Sequence, residues 1–355
     1  MMNHLSQIAQ ALPEHDLDAI LITSEAGERY ALGFHGEGVV LVTRKGAHYS
    51  TDGRYMEQAQ AQVTGAELSL AYTGKGHMSL AKDYMKEHRL ERVGFESGRM
   101  PVDEYHRWAE LLPCILTPAQ GLLDGLRASK DPRELEAMRQ AQKITDHAFG
   151  EILNFIRPGR TEREIAARLV YELLRLGGER IAFDPIVAAG ANGSKPHAQP
   201  GEQSAAPGMF VTMDFGCVYE GYCSDMTRTV CVGQPTQEME EVYQVVLEAQ
   251  KAVLQKARAG LTGKYLDGLA RQVMEEAGYE EYFSHSLGHS LGLEVHESPG
   301  LSHTSEKPLP AGMVTSVEPG IYIPGRFGVR IEDVVVLGEE GCDNLTRSPK
   351  NLIVL

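Results

Sequence analysis

The spacing of apolar residues changes along this chain. Up to about residue 126, short apolar runs such as Ala19-Ile20-Leu21-Ile22 and Val39-Val40-Leu41-Val42 are bounded by turn residues, with amphipathic stretches between them. Runs of that length predict buried strands, and their alternation with amphipathic segments predicts a small α/β domain over 1–126. At Lys130-Asp131-Pro132-Arg133-Glu134 the pattern becomes helical. Asp131 is placed to cap, Pro132 suits the first helical position, and Glu134 closes a capping box ahead of Leu135, Met138 and Ile144. A second domain is expected over 127–355.

The second region echoes itself. Gly159-Arg160-Thr161 opens a helical stripe of Ile165, Leu169 and Leu173 ending at Gly177, and 101 positions later Gly260-Leu261-Thr262 opens another, of Leu266, Ala270 and Met274, ending at Gly278. After the first come His197 and a strand-like run carrying Asp214; after the second come His296 and a run leading into Glu318. Each half adds a carboxylate on its next apolar segment, Asp225 in the first and Glu332 in the second. Two strands joined by a hairpin would set each pair side by side. The repeat predicts two similar α+β halves packed with pseudo-twofold symmetry about a shared cleft, four acids converging at its centre. Only two units of ~100 residues are visible, so solenoids and propellers are set aside.

Carboxylates turned inward from apolar strands are costly to bury without a cation. Arg228 and Arg330 lie nearby, but two arginines do not balance four acids, whereas two divalent metals do. His289 adds one nitrogen, and the flanking Gly288 and Gly292 let backbone and ligand approach closely. Such an oxygen-rich set without thiolate suits Mn²⁺, Co²⁺ or Zn²⁺, with bridging carboxylates holding the ions ~3.5–4 Å apart as in two-metal hydrolases. The chemistry expected is attack by a metal-bridging hydroxide on a polarised carbonyl, a nearby carboxylate passing the proton to the leaving amine.

Charge and cysteine content narrow the field. With 34 basic and 49 acidic side chains the net charge is −15, which repels nucleic-acid phosphates and anionic membrane faces. The five cysteines are odd in number and none is spaced C-x-x-C, so neither a disulfide framework nor a thiolate zinc site is suggested. No apolar run approaches the ~18 residues a membrane span needs, and the N-terminus has no signal-like pattern. A cytoplasmic protein is expected.

The segments Asp214-Phe-Gly, Tyr222-Cys-Ser-Asp225-Met-Thr-Arg-Thr229, Gly288-His289-Ser-Leu-Gly-Leu-Glu-Val-His296-Glu, Glu318-Pro-Gly-Ile-Tyr322 and Gly328-Val-Arg-Ile-Glu332-Asp resemble the pita-bread metallopeptidases. Within that family they look like the proline-directed branch, Xaa-Pro aminopeptidase (aminopeptidase P) and Xaa-Pro dipeptidase (prolidase). The resemblance spans 127–355, and residues 1–126 resemble the creatinase/prolidase N-terminal domain. It implies an α+β pita-bread fold of duplicated halves and two divalent metal ions, Mn²⁺ first, with Co²⁺ or Zn²⁺ as alternatives. It implies that Asp214 binds one metal, that Asp225 and Glu332 bridge both, and that His289 and Glu318 bind the second. Glu318 would also shuttle the proton, and His296 would hydrogen-bond the substrate carbonyl and the oxyanion. His197 would reach the substrate from the other half, His285 would line the pocket, and Arg330 would orient a ligating carboxylate.

The implied reaction is hydrolysis of the Xaa-Pro bond at the N-terminus of short peptides, by a homodimer. Prolidases commonly carry an Arg shortly after the His-Glu pair to take a dipeptide's carboxylate; Ser298–His303 has none, which favours the aminopeptidase over the dipeptidase. Ser290 stands where relatives often have Gly and is small enough to leave ligation intact. Methionine aminopeptidases share the five ligands but usually lack an N-terminal domain of this length. A non-peptidase relative would have lost ligands, and none is lost. Dinuclear phosphoester hydrolysis would call for more His ligands and basic contacts than this set offers.

Overall fold

A computed structural model describes residues 3–355. The chain divides after Arg127 into two compact units. In the first, β1 (Ala19–Ile22), β2 (Val39–Thr43), β3 (Ala47–Asp52), β4 (Ala66–Ala71), β5 (Arg92–Phe95) and β6 (Ile115–Pro118) form one mixed sheet in the order β4-β3-β2-β1-β5-β6. The β1–β2 and β2–β3 pairs are antiparallel and the others parallel. Helix α1 (Leu5–Ala11) precedes the strands, α2 (Glu25–Leu32), α3 (Met56–Gln62), α4 (His77–Glu87) and α5 (Val102–Leu111) lie between them, and α6 (Gln120–Ala128) follows. Every residue of β1 and β2 is buried, so both faces of these central strands are covered, which is why they read as unbroken apolar runs.

The second unit opens on α7 (Pro132–Leu153) with the expected capping box: Asp131 accepts from Arg133 N and Glu134 N, and Glu134 accepts from Asp131 N at 2.7 Å. Thr161 caps α8 (Glu162–Arg175), Thr236 caps α9 (Gln237–Leu254), and Thr262 caps α10 (Gly263–Glu276). The two apolar stripes sit in two separate cores. Ile165, Leu169 and Leu173 of α8 pack with Val211, Met213 and Val230, while Leu266, Ala270 and Met274 of α10 pack with Val317, Val329 and Val335. All six stripe residues are wholly buried, each large one contributing roughly 1.5–3 kcal/mol.

In the first half the strands are β7 (Arg180–Ile181), β8 (Ile186–Ala189), β9 (Met209–Phe215), β10 (Cys217–Tyr219), β11 (Tyr222–Cys223) and β12 (Met226–Val232). The second half supplies β13 (Gly288–Ser290), β14 (Glu297–Leu301), β15 (Val314–Val317), β16 (Gly320–Ile323), β17 (Phe327–Arg330), β18 (Asp333–Leu337) and β19 (Cys342–Asn344). The first half holds a three-stranded sheet, β12-β9-β8, and the second a five-stranded one, β14-β13-β15-β18-β19, with β16 and β17 forming a hairpin. The halves are tied together across the seam. Glu332 N donates to Thr227 O at 3.1 Å, and the hydroxyls of Thr212 and Thr229 donate to Gly328 O and Arg330 O, both at 3.2 Å. No helix among the described residues is long and apolar enough to cross a membrane.

Candidate metal centre

The five expected ligand residues line one cleft of about 630 Å³ together with His197, His285, His296 and Arg330. Asp214 points in from β9, but the other three acids stand at strand ends rather than within strands. Asp225 directly precedes β12, Glu318 directly follows β15, and Glu332 lies between β17 and β18. Pro319 accounts for one of these, since it has no N–H for a ladder and ends β15 beside Glu318. Antiparallel pairing sets Val317 against Asp333, so Glu318 and Glu332 come together at the open base of the β16–β17 hairpin.

Asp225, His289 and Glu332 each offer a ligand atom within 4.8 Å of the others. His289 Nε2 lies 3.3 Å from Glu318 Oε1 and 3.6 Å from Asp225 Oδ2. Its Nδ1 lies 3.2 Å from the carbonyl of Ser290, an atom that can only accept, so Nδ1 carries the proton. The lone pair of Nε2 is thereby aimed at carboxylate oxygens, an arrangement that calls for a cation between them. One oxygen of each of Asp214, Asp225 and Glu332 is buried with no hydrogen-bond partner. Buried carboxylate oxygens left unmatched are expensive, and divalent cations would satisfy all three. The donor set therefore fits a carboxylate-rich metal centre.

The electrostatics agree. Burial, reinforced by Glu332 and the other acids, holds Asp225 well above the usual carboxylate range, and burial with Glu318 and Asp214 does the same for Glu332. Glu318 is pushed up to about 7, burial and Asp214 outweighing the opposing pull of Arg330. Burial lowers His289, and burial together with His289 lowers His296, whose ring centroid stands 4.3 Å from that of His289. Both rings are therefore favoured neutral, as a ligand must be.

Arg330, 3% exposed, orients two acids at once. Its Nη2 donates to Asp214 Oδ2 at 2.6 Å, while Nε donates to the Thr227 hydroxyl at 2.9 Å, which in turn donates to Glu332 Oε2 at 2.7 Å. Nη1 donates to Tyr322 Oη at 2.7 Å. His285 Nδ1 is 2.8 Å from the Ser286 carbonyl, so His285 Nε2 accepts from Tyr322 at 2.8 Å. Burial and Arg330 lower His285 to about 4, so it stays neutral in this chain of bonds.

Sequence reasoning assigned no role to Thr227, Tyr322 or Ser316, whose hydroxyl donates to Glu318 Oε1 and accepts from His289 N, each at 3.0 Å. Tyr322 lies inside a quoted motif, four residues after Glu318, which was the available signal. Thr227 lies in the Tyr222–Thr229 motif, two residues after Asp225, but the bonds that give it and Ser316 their place, to Glu332 and from His289, join them to residues 105 and 27 positions away.

Residues 136–339 match metallopeptidase family M24, and residues 4–129 match the creatinase/prolidase N-terminal domain. The chain belongs to metallopeptidase family M24, and its architecture is that of the pita-bread enzymes. It is 41% identical over 353 residues, 99% of each chain, to YqhT, an uncharacterized peptidase of Bacillus subtilis (strain 168). Among solved structures it resembles the Xaa-Pro dipeptidase from Bacillus anthracis, with a TM-score of 0.95, 42% identity and 99% of each chain covered. It also resembles the X-Pro aminopeptidase from Thermotoga maritima MSB8, with a TM-score of 0.92, 37% identity, and 98% of this chain and 100% of that one covered. The chain is a hydrolase that requires divalent metal.

Proposed function

We propose that this chain removes the residue preceding proline from the N-terminus of short peptides, with 127–355 as its catalytic domain. One observation carries the reading: buried, unmatched carboxylate oxygens meet an aimed imidazole lone pair at the floor of a cleft rimmed by further histidines. Asp214 would hold one ion, Asp225 and Glu332 both, and His289 with Glu318 the second. When bound, the two ions polarise the scissile carbonyl and lower the pKa of a water.

The chain's own groups do the rest. Glu318 takes on its carboxylate the proton given up by the attacking water and passes it to the leaving nitrogen. His296 and His197 supply hydrogen bonds to the substrate carbonyl as charge develops on its oxygen. Arg330 holds Asp214 directly and Glu332 through Thr227, and His285 walls the pocket through Tyr322.

Among the described residues lining the cleft, Arg330 is the one guanidinium or ammonium, and all its nitrogens are engaged with protein groups. That supports peptides longer than two residues, hence an Xaa-Pro aminopeptidase. The second reading, an Xaa-Pro dipeptidase, is favoured by the likeness to the Bacillus anthracis enzyme. Initial rates on Ala-Pro-Ala, Ala-Pro and Ala-Ala-Ala decide between them. Faster Ala-Pro-Ala establishes the aminopeptidase, faster Ala-Pro the dipeptidase, and cleavage of Ala-Ala-Ala alone overturns proline specificity. We further assign Mn²⁺ as the working metal and a cytoplasmic homodimer as the working form. Metal analysis of protein purified without added metal and light scattering test these; Zn²⁺ in that protein, or a fully active monomer, would refute them.

A further inference from the structure

Glu162 is the first residue of α8, and none of the chemistry above uses it. It is completely buried, 0% exposed, where a carboxylate persists only if its oxygens are matched. They are. Oε1 accepts from Ala189 N at 2.7 Å and Asn192 Nδ2 at 3.0 Å, and Oε2 accepts from Asn192 Nδ2 at 3.0 Å and Gly201 N at 2.9 Å. All of these donors belong to one segment, 189–201, which leaves the end of β8, makes a 3-10 turn over Gly190–Ser194 and runs on without regular structure. Pro196, His197 and Gln199 of that segment line the cleft.

The His197 ring is exposed and makes no hydrogen bond to another described residue, so only its backbone places it. The backbone near it is tied at Pro196 O, which accepts from Arg330 Nη1 at 3.3 Å, and at the Ser194 hydroxyl, which accepts from Gly325 N at 3.2 Å. The two ends of the excursion, Ala189 and Gly201, are drawn together by one group, the Glu162 carboxylate. Hydrogen bonds to an ionised acceptor are about twice as strong as neutral ones, and α8's N-terminal dipole favours the charge there.

We propose that Glu162 is a positioning residue for His197: it closes the 189–201 segment so that the imidazole meets the substrate carbonyl. The inference rests on the role given to His197 above. Misplacement of a reacting group by about 1 Å can cost on the order of 100-fold in rate, and loosening one closed loop is a milder form of that error.

The test is a double-mutant cycle on metal-loaded enzyme with an Xaa-Pro peptide, comparing wild type, Glu162→Gln, His197→Ala and the double variant. The Gln amide cannot accept the bonds that one carboxylate oxygen now takes. Glu162→Gln is expected to lower kcat on the order of 10-fold with a smaller change in KM, and to add no further loss in the His197→Ala background. Amide hydrogen exchange over 189–201 is expected to quicken, while bound metal per chain stays at the wild-type value. An equal kcat loss in both backgrounds, or a lowered Tm with unchanged kcat, overturns this inference alone and leaves Glu162 a helix-end brace. A wild-type kcat for His197→Ala overturns the role of His197, and this inference with it. Should Glu162→Gln fail to fold, Asn192→Ala removes the Nδ2 bonds to both Glu162 oxygens and is run through the same cycle.

Discussion

At the scale of single residues, the site is a place where charges oppose one another until a cation arrives. Asp225, 3% exposed, and Glu332, 1% exposed, share it with Asp214 and Glu318. Asp225→Asn removes an acid that the metal-free site can hold only by keeping its proton or by facing like charges, and offers an amide donor to neighbouring oxygens. In chelator-treated protein it should therefore raise Tm by roughly 2–4 °C, a gain of about 1 kcal/mol, and abolish turnover. A lowered Tm would mean that the acids do not repel in the metal-free state. Arg330→Met should weaken metal affinity or activity about 10–100-fold, because Asp214 loses its direct partner and Glu332 its support through Thr227. Isothermal titration of the metal measures it, and wild-type affinity would show the guanidinium to be a bystander. Neither Thr227 nor Tyr322 could be assigned these bonds from the sequence, since a hydroxyl in a strand looks alike whether it faces a ligand or another hydroxyl.

At the scale of elements, local chemistry and long-range fit divide cleanly. Both repeat helices were readable because Thr161 and Thr262 cap them and their stripes recur at helical spacing, all within one stretch of chain. Removing a stripe residue, as in Leu169→Ala, should cost about 2–5 kcal/mol by urea denaturation. The strand ends were readable only in part: Pro319 marks the end of β15, but nothing local marks which residue it meets. Whether Glu318 then meets Glu332 depends on where Asp333 pairs, on another strand. Gly288 shows the same dependence: a Cβ there would stand 2.2 Å from the backbone oxygen of Ser316. Gly288→Ala should push β13 away from β15, carry His289 with it and lower metal affinity on the order of 10-fold or more. Unchanged metal binding would show that the sheet absorbs the shift.

At the scale of the whole molecule, metal and proton compete for the same site. Asp225, Glu332 and Glu318 all hold protons more tightly when folded than in the unfolded chain, where carboxyls titrate near 4. The folded state then binds more protons than the unfolded one, so their contribution to metal-free stability is greatest at low pH. It is lost as pH rises through about 4.5 to 7, and beyond that for the more strongly raised pair. Metal binding needs the deprotonated forms and runs the opposite way. The Tm gain on adding Mn²⁺ to chelator-treated protein should therefore be larger at pH 8 than at pH 5. Subtracting the two melting curves cancels groups away from the site, such as Glu238, which its hydrogen bond from Arg326 holds low. A gain larger at pH 5 would contradict a site built from these acids.

The boundaries of the repeat, its caps, its apolar stripes and the identity of its acids and histidines follow from the order of residues, because each depends on neighbours a few positions away. The meeting of Asp225 with Glu332, the seating of His289 on Ser316, the double duty of Arg330 and the closing of the His197 loop by Glu162 depend on pairings across 27 to 116 positions. Such pairings are settled by strand register and by the packing of one half on the other, and only the folded chain holds them.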